Sequence, residues 1–181
     1  MKNEIIAKID QYNLNQYQFL VKEEIIFSQE VLKMCEANSC GKYGTNWMCP
    51  PATGSLEEMK AKCLSYDNIL LFNMVYKLED SFDFEGMMDA GNNHRKISKD
   101  VANGIREIIN EKPLILGPGG CTLCDRCTYL DGESCINPEE AISGVESHGI
   151  LIAEYAPKIG FKYINGPNTV TYFTMLLWNN N

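Results

Sequence analysis

The sequence predicts an α/β fold in which helices flank a mixed sheet and two cysteine-rich metal-binding loops lie at strand ends. Apolar runs typical of buried strands alternate along the chain with helical segments, and this alternation favours a sheet covered by helices. The chain has 181 residues, of which 45% are apolar, so it can bury a substantial core. We therefore expect residues 1–181 to form one α/β metal-binding domain.

The first half of the chain contains two strand patterns and two helix starts. β-branched and aromatic residues dominate 18–27, which predicts a strand. Ser28 is placed to cap the helix that follows it. Ser55 and Glu58 form a capping-box pattern at the start of a second helix. The apolar run over 68–78 predicts a buried strand.

The second half continues the same alternation. A helix is predicted over 93–110, because four aliphatic residues recur at spacings of three and four and so share one face: Ile97, Val101, Ile105 and Ile108. The remaining predicted elements are a short strand over 114–116, helices over 138–147 and 149–160, and a central strand over 169–178. These elements complete the predicted sheet and its covering helices.

Composition narrows the classes of function. The formal net charge is −8, which argues against nucleic acid as a partner, because phosphate neutralisation needs a basic surface. The N-terminal residues lack the pattern of a signal peptide. No apolar stretch reaches the length of a membrane span. We expect a cytoplasmic protein, where clustered cysteines indicate metal binding more often than disulfides.

The second cysteine loop, residues 117–138, gives the sharpest chemical signal. Three cysteines follow one another as C-x2-C-x2-C, and a fourth comes seven residues later: Cys121, Cys124, Cys127 and Cys135. Single zinc ions usually take two separated pairs of ligands, whereas bacterial ferredoxins hold iron–sulfur clusters with runs of this kind. The spacing favours a 4Fe-4S cluster, with zinc as the second interpretation. The glycines of the preceding GPGG stretch would let backbone amides approach cluster sulfides.

The first cysteine loop, residues 35–51, supplies three further candidate ligands. Cys35, Cys40 and Cys49 lie in a segment rich in glycine, and Cys49 is followed by proline, as cluster ligands often are. We expect a second 4Fe-4S cluster here. Trp47 lies between these cysteines and is expected to shape the site or to shield it from solvent.

The fourth ligand of this first group stays open. Cys63 is the one cysteine left, but it shares a helix face with Leu56 and Met59, where a free cysteine usually packs as a small hydrophobe. A fully ligated cluster would be an electron carrier. A cluster with three cysteines would leave one iron open to a substrate, which is the general mark of a catalytic metal site.

Other ionisable side chains are weaker candidates. His94 could ligate a metal, relay protons or pack in the core, and His148 is expected in a turn between helices. Three glutamates of the predicted helix over 138–147 are interpreted as a solvated face: Glu139, Glu140 and Glu146. No catalytic residue is assigned from these patterns.

Taken together, the motifs resemble an uncharacterised microbial family described as predicted metal-binding protein, domain-of-unknown-function family 2284. The resemblance covers 35–160 and rests on C-x4-C-x2-YG-x2-W-x-CPP over 35–51, GPGGC-x2-C-x2-C over 117–127, and C-x2-PEEA with SGVESHGI over 135–150. Cys63 is outside this pattern. The resemblance implies metal ligation by the other seven cysteines: Cys35, Cys40, Cys49, Cys121, Cys124, Cys127 and Cys135.

Three functional hypotheses follow. The first is an iron–sulfur protein with two 4Fe-4S clusters that transfers electrons to or from a redox partner protein. The second is an enzyme or reductive activator that binds a small-molecule substrate at the group formed by Cys35, Cys40 and Cys49. The third is a zinc-binding interaction module without redox chemistry. The sequence does not identify the partner, the substrate or the oligomeric state.

Overall fold

The computed structural model describes residues 1–180. Its strands are β1 (Gln16–Phe19), β2 (Asn68–Lys77), β3 (Leu114–Gly117), β4 (Ser143–Gly144) and β5 (Thr169–Trp178). Its helices are α1 (Lys2–Ile9), α2 (Gln29–Glu36), α3 (Leu56–Leu64), α4 (Phe84–Ile109) and α5 (Ile152–Lys158). Within the described residues, no helix combines the length and the apolar character needed to cross a membrane.

The five strands form one sheet in the order β1-β2-β5-β3-β4. Its centre is the long antiparallel pair of β2 and β5, which runs in register from Asn68 opposite Trp178 to Lys77 opposite Thr169. The strand pair β3–β4 is parallel, whereas the other pairs are antiparallel. The sheet is therefore mixed, with β5 in the middle, and the predicted α/β class is confirmed.

Helices cover both faces of the sheet, because alternate residues of the central strands point to opposite sides. Leu70 and Phe72 of β2 pack with α1 and α4, while Ile69 and Leu71 pack on the other face. The residues that cover that other face include Cys63 of α3 together with Tyr155 and Ala156 of α5. These two cores hold the sheet between layers of helices.

Two predicted helix starts are confirmed with their capping interactions, and a third is corrected. The Ser28 hydroxyl accepts a hydrogen bond from the Glu30 amide at the start of α2. At the start of α3, Ser55 and Glu58 make both hydrogen bonds of the capping box. The helix predicted over 93–110 begins earlier, at Phe84, where the Asp83 side chain accepts from the Gly86 amide.

Two predicted elements are wrong. The strand predicted over 18–27 ends at Phe19. The three consecutive charged residues Lys22–Glu24 form a 3-10 turn instead of continuing the strand. The predicted helix over 138–147 is replaced by β4 and a 3-10 turn at Glu146–His148. Gly144 disfavours a helix, and pairing of β4 with β3 satisfies its backbone instead.

His94 belongs to a buried polar cluster between α4 and the sheet. Its ring nitrogens lie 3.0 Å from Thr174 Oγ1 and 3.2 Å from Tyr76 Oη. The Ser98 hydroxyl lies 2.7 Å from the same Thr174 oxygen. Burial lowers the pKa of His94 to about 3, so the ring is neutral. Of the roles considered for His94, the structure supports packing in the core.

Candidate metal centre

The first cysteine loop connects α2 to α3. Cys35 lies in the last turn of α2, and the chain then turns through left-handed backbone conformations at Asn38, Gly41 and Gly44. The Asn38 side-chain oxygen accepts a hydrogen bond of 3.0 Å from the Tyr43 amide. Asparagine and glycine tolerate this conformation, which explains their use in a loop that must fold back on itself.

The second cysteine loop begins at the end of β3, which is the position at a strand end that the sequence predicts. Gly119 has a positive φ, which bends the chain immediately ahead of the cysteines. The Arg95 guanidinium of α4 donates a hydrogen bond of 3.1 Å to the Gly120 carbonyl oxygen. This contact fixes the glycine-rich segment against the helix layer.

All four cysteines of the second loop line one cavity. Asn46, Trp47 and Met48 of the first loop complete part of its wall. The Asn137 side-chain amide donates to Cys124 Sγ over 3.5 Å. The donor set is thus four sulfurs around a shared space, with a polar group directed at one of them.

The four sulfurs also interact electrostatically. Burial raises the pKa of the Cys121 thiol, and Cys124, Cys135 and Cys127 raise it further. A hydrogen bond with the Leu123 backbone acts in the opposite direction. Several thiolates this close together repel one another, and a bound metal centre would remove that repulsion.

The two cysteine loops are in direct contact. The Trp47 indole nitrogen donates to the Glu133 carbonyl oxygen over 3.0 Å, and its ring meets Tyr129 edge-on with centroids 5.0 Å apart. A Cβ placed on Gly120 would lie 2.9 Å from Cys49 Sγ. The residue before Cys121 therefore touches a cysteine of the first group, and only a glycine fits there without a shift.

Trp47 thus has a more specific position than the sequence indicated. It lies in the first loop but lines the cavity of the second cysteine group. Its contacts with Glu133 and Tyr129 hold the two loops together. The expected shielding role fits this position, although the group it covers belongs to the other loop.

The first group gathers Cys35, Cys40 and Cys49 near one another. Burial raises the pKa of Cys35 to about 11, and the neighbouring Cys49 and Cys40 thiols add to the increase. Cys49 is buried, with its sulfur 4.0 Å from the Ser147 hydroxyl. No basic side chain contributes to the pKa of Cys35, whereas at the second group the Arg95 guanidinium interacts with the Cys121 thiol.

An open cavity of about 460 Å³ adjoins the first group. Cys35 and Cys40 lie in its wall together with apolar residues, and Glu146 contributes a carboxylate. The Glu146 side chain reaches solvent through this cavity, although protein atoms surround its carboxylate and raise its pKa. Glu146 also raises the pKa of Cys35, which places its charge near that thiol.

Glu146 is an ionisable residue of the first site that cysteine spacing does not reveal. The sequence predicts it on a solvated helix face, but it lies in a 3-10 turn and lines the cavity of Cys35 and Cys40. The other two glutamates of that segment do lie on the surface, where Glu139 pairs with Lys112 and Glu140 with Lys99. The one available signal was that Glu146 falls within a motif of the resembled family.

Cys63 lies apart from both groups, in the core. Its side chain is fully buried on α3, in the cluster that contains Ile69 and Leu71 of β2. Burial raises the pKa of its thiol to about 12, which keeps it protonated. Of the two roles considered for Cys63, the position is that of a small hydrophobic residue.

His148 is buried in the turn that carries Glu146. Its Nδ1 lies 3.2 Å from the Gly144 carbonyl oxygen and 3.4 Å from the Ser143 hydroxyl. Burial lowers its pKa to about 4. The Ser143 hydroxyl in turn donates to the Met48 carbonyl oxygen over 2.7 Å, which joins β4 to the first cysteine loop. The histidine therefore supports the turn from inside the fold.

The two cysteine groups differ from a preformed site for a single metal ion. Within residues 1–180, no three cysteine, histidine, aspartate or glutamate side chains are placed to hold one metal ion. The four cysteines of the second loop nevertheless face the same cavity. The donor set at both groups is dominated by thiols, which are ligands of soft metals and of iron–sulfur clusters.

Comparisons with known proteins agree with a metal-binding role. No curated protein and no solved structure matches the chain. The family described as predicted metal-binding protein, domain-of-unknown-function family 2284, matches residues 18–178. This match extends beyond the resemblance over 35–160 and covers most of the chain. The chain therefore belongs to the predicted metal-binding protein family.

Proposed function

We propose that the protein is an iron–sulfur protein with two 4Fe-4S clusters that transfers single electrons. The observation that carries this proposal is the common cavity lined by Cys121, Cys124, Cys127 and Cys135. A cluster presents four irons that each take one ligand, so its ligands are spread around a body of several atoms. The four ligands of a single zinc converge on one point. The C-x2-C-x2-C spacing, together with the cavity that the four cysteines share, favours the cluster.

The surroundings of the second group fit an electron relay. Four cysteines are available as ligands here, which would leave no iron open to a substrate. The amide of Asn137 is directed at Cys124 Sγ, and hydrogen bonds to cluster sulfurs tune reduction potential. When bound, the cluster would supply one-electron chemistry. The protein would hold it through the four thiolates and limit solvent access with Trp47.

The first group would hold the second cluster through Cys35, Cys40 and Cys49. Gly120 adjoins Cys121 in sequence and Cys49 Sγ in space. Electrons could pass between the two sites across this contact. We further propose a cytoplasmic location, where the thiols stay reduced, and a redox partner protein as the source or acceptor of electrons.

A second candidate function rests on the cavity beside the first group. Its volume of about 460 Å³ would admit a small organic molecule to the site of Cys35 and Cys40. An enzyme or reductive activator would use the closed cluster as relay and the first cluster as the reacting centre. The third candidate, a zinc-binding module, uses the same thiolates without redox chemistry.

Metal analysis of variants tests the proposal. Protein purified without oxygen should be brown and contain about eight irons and about eight sulfides per chain. Cys124→Ala should remove about four irons, whereas Thr122→Ala, at an exposed position of the same loop, should remove none. A colourless wild-type protein with stoichiometric zinc and no iron would overturn the proposal and favour the zinc-binding module.

A substrate role would appear in the same preparation. If small molecules that fill the cavity perturb the spectrum of one cluster, and Cys40→Ala abolishes that effect together with about four irons, the enzyme hypothesis gains. If both clusters cycle between two oxidation states without response to such molecules, the electron-carrier hypothesis is retained.

A further inference from the structure

We propose that the Glu146 carboxylate is the fourth ligand of the cluster held by Cys35, Cys40 and Cys49. This inference rests on the proposed function, because it requires iron at the first group. The sequence supplies only three cysteines for this site, and Glu146 would complete its set of four ligands. It also gives the cavity of the first group a chemical role.

The turn that carries Glu146 adjoins the first cysteine group. The 3-10 turn Glu146–His148 packs against α2, the helix that carries Cys35. Glu146 lines the same cavity as Cys35 and Cys40. The next residue, Ser147, has its hydroxyl 4.0 Å from Cys49 Sγ. One turn therefore reaches the whole first group.

The Glu146 carboxylate has no partner that would account for its position. Among residues 1–180 it makes no ion pair and no hydrogen bond to another side chain, and its own backbone amide is the one donor acting on it. The cavity wall around it contains Val31, Leu151 and Ile152. The side chain is exposed to the cavity that Cys35 and Cys40 also line, so its oxygens are free to bind a cation there. An iron of the cluster would be that cation.

Other candidate ligands are occupied elsewhere. Cys63 is enclosed in the core with Ile69 and Leu71. His148 belongs to the same turn as Glu146, but its Nδ1 faces the Gly144 carbonyl oxygen. Tyr163 lines the cavity, but its ring stacks on Phe173 with centroids 5.6 Å apart, and burial raises the pKa of its phenol.

A carboxylate ligand would distinguish the two clusters. Oxygen is a harder donor than thiolate sulfur, so the iron at this corner would be the most weakly held of the first cluster. That iron would face the cavity, where small molecules can enter. The closed group at Cys121–Cys135 would keep four equivalent sulfur ligands.

Three variants test this assignment: Glu146→Gln, Glu146→Cys and the control Glu154→Gln. Glu154 is an exposed glutamate on α5. Each protein is enriched in ⁵⁷Fe, purified without oxygen, and measured by iron content and Mössbauer spectroscopy. The wild type should show about one iron per chain with the larger isomer shift of an oxygen ligand. Mild oxidation should release that iron first.

The expected results differ for each variant. Glu146→Gln should lose about one iron per chain and accumulate a three-iron cluster under oxidation that leaves the wild type intact. Glu146→Cys should keep about eight irons and lose the distinct site, because a fourth thiolate replaces the carboxylate. Glu154→Gln should match the wild type in both measurements.

Two other results would overturn the inference in different ways. If wild type and Glu146→Gln have the same iron content and the same spectra, Glu146 is not a ligand, while the proposed function stands. If the wild type contains no iron, or about four irons that Cys124→Ala removes, the first group holds no cluster and the proposed function itself fails there. The iron content of the wild type and of Cys124→Ala reveals this outcome without any Glu146 variant.

Discussion

Replacing Cys63 by alanine should cost stability and leave the iron content unchanged. Cys63 is fully buried on α3, packed in the cluster that includes Ile69, Leu71 and Tyr155. Its sulfur fills space in the core and lies among apolar side chains. The substitution therefore removes packing and no metal ligand, which separates the two roles that the sequence left open.

The expected cost follows from the volume that is lost. Transferring a group of about the size of one methylene into the core contributes about 0.8 kcal/mol. A cavity as large as a methyl group adds about 1 kcal/mol. The free energy of unfolding should fall by about 2 kcal/mol, which for a chain of this length lowers the melting temperature by about 4–8 °C.

The assay compares Cys63→Ala with Ile69→Val, a variant in the same core cluster. Both proteins are purified without oxygen and measured by thermal unfolding and iron content. Ile69→Val should cost about 0.5–1.5 kcal/mol and keep all of its iron. If Cys63→Ala loses about four irons while Ile69→Val keeps them, Cys63 is a cluster ligand and the reasoning is wrong.

Three further predictions concern single side chains. Gly120→Ala should lower the iron content of the first group, because the added Cβ would lie 2.9 Å from Cys49 Sγ; an unchanged iron content would show that Cys49 is free to move. Asn137→Ala should make the reduction potential of one cluster more negative in a redox titration, because a hydrogen bond to Cys124 Sγ that favours the reduced state is lost; equal potentials would contradict the role of this contact. The pKa of His94 is about 3 in the folded protein against an ordinary 6.5, so the unfolded chain binds the extra proton and stability should fall as pH drops from 6.5 towards 3. Urea unfolding of His94→Gln over this range should show a weaker dependence on pH than the wild type, and equal slopes would contradict the assignment.

The central part of the fold was predictable because its signals are local. The strands β2 and β5 are predominantly apolar segments, and the capping residues Ser28 and Ser55 mark the starts of α2 and α3. Periodicity also identified the buried face of α4. In each case the residues that decide the structure lie within one element, so the sequence alone is sufficient.

The errors arise where distant contacts decide. Residues 143–144 contain a serine and a glycine with little preference of their own, and they become a strand because β3 offers a free edge. The segment 18–27 begins as β1 but ends with Phe27 bridged to Ile150 in another part of the chain. Pairings between segments far apart in the chain cannot be predicted from the residue pattern within one segment.

The candidate site shows the same division. Cysteine spacing was enough to group Cys121, Cys124, Cys127 and Cys135, which are near in sequence and share one cavity. It was not enough to find Glu146, which is more than 95 positions away from every cysteine of the first loop. Nor could it place Trp47 at the second cavity, because that contact depends on how two separate loops meet.

The most direct test of two adjacent clusters is electron paramagnetic resonance of the fully reduced protein. The contact of Gly120 with Cys49 Sγ brings the two cysteine groups next to each other. We expect two unpaired spins per chain, with signals broadened by magnetic interaction between the clusters. If the fully reduced protein gives a single narrow signal from one spin, or if it contains zinc and gives no signal, two adjacent clusters are contradicted.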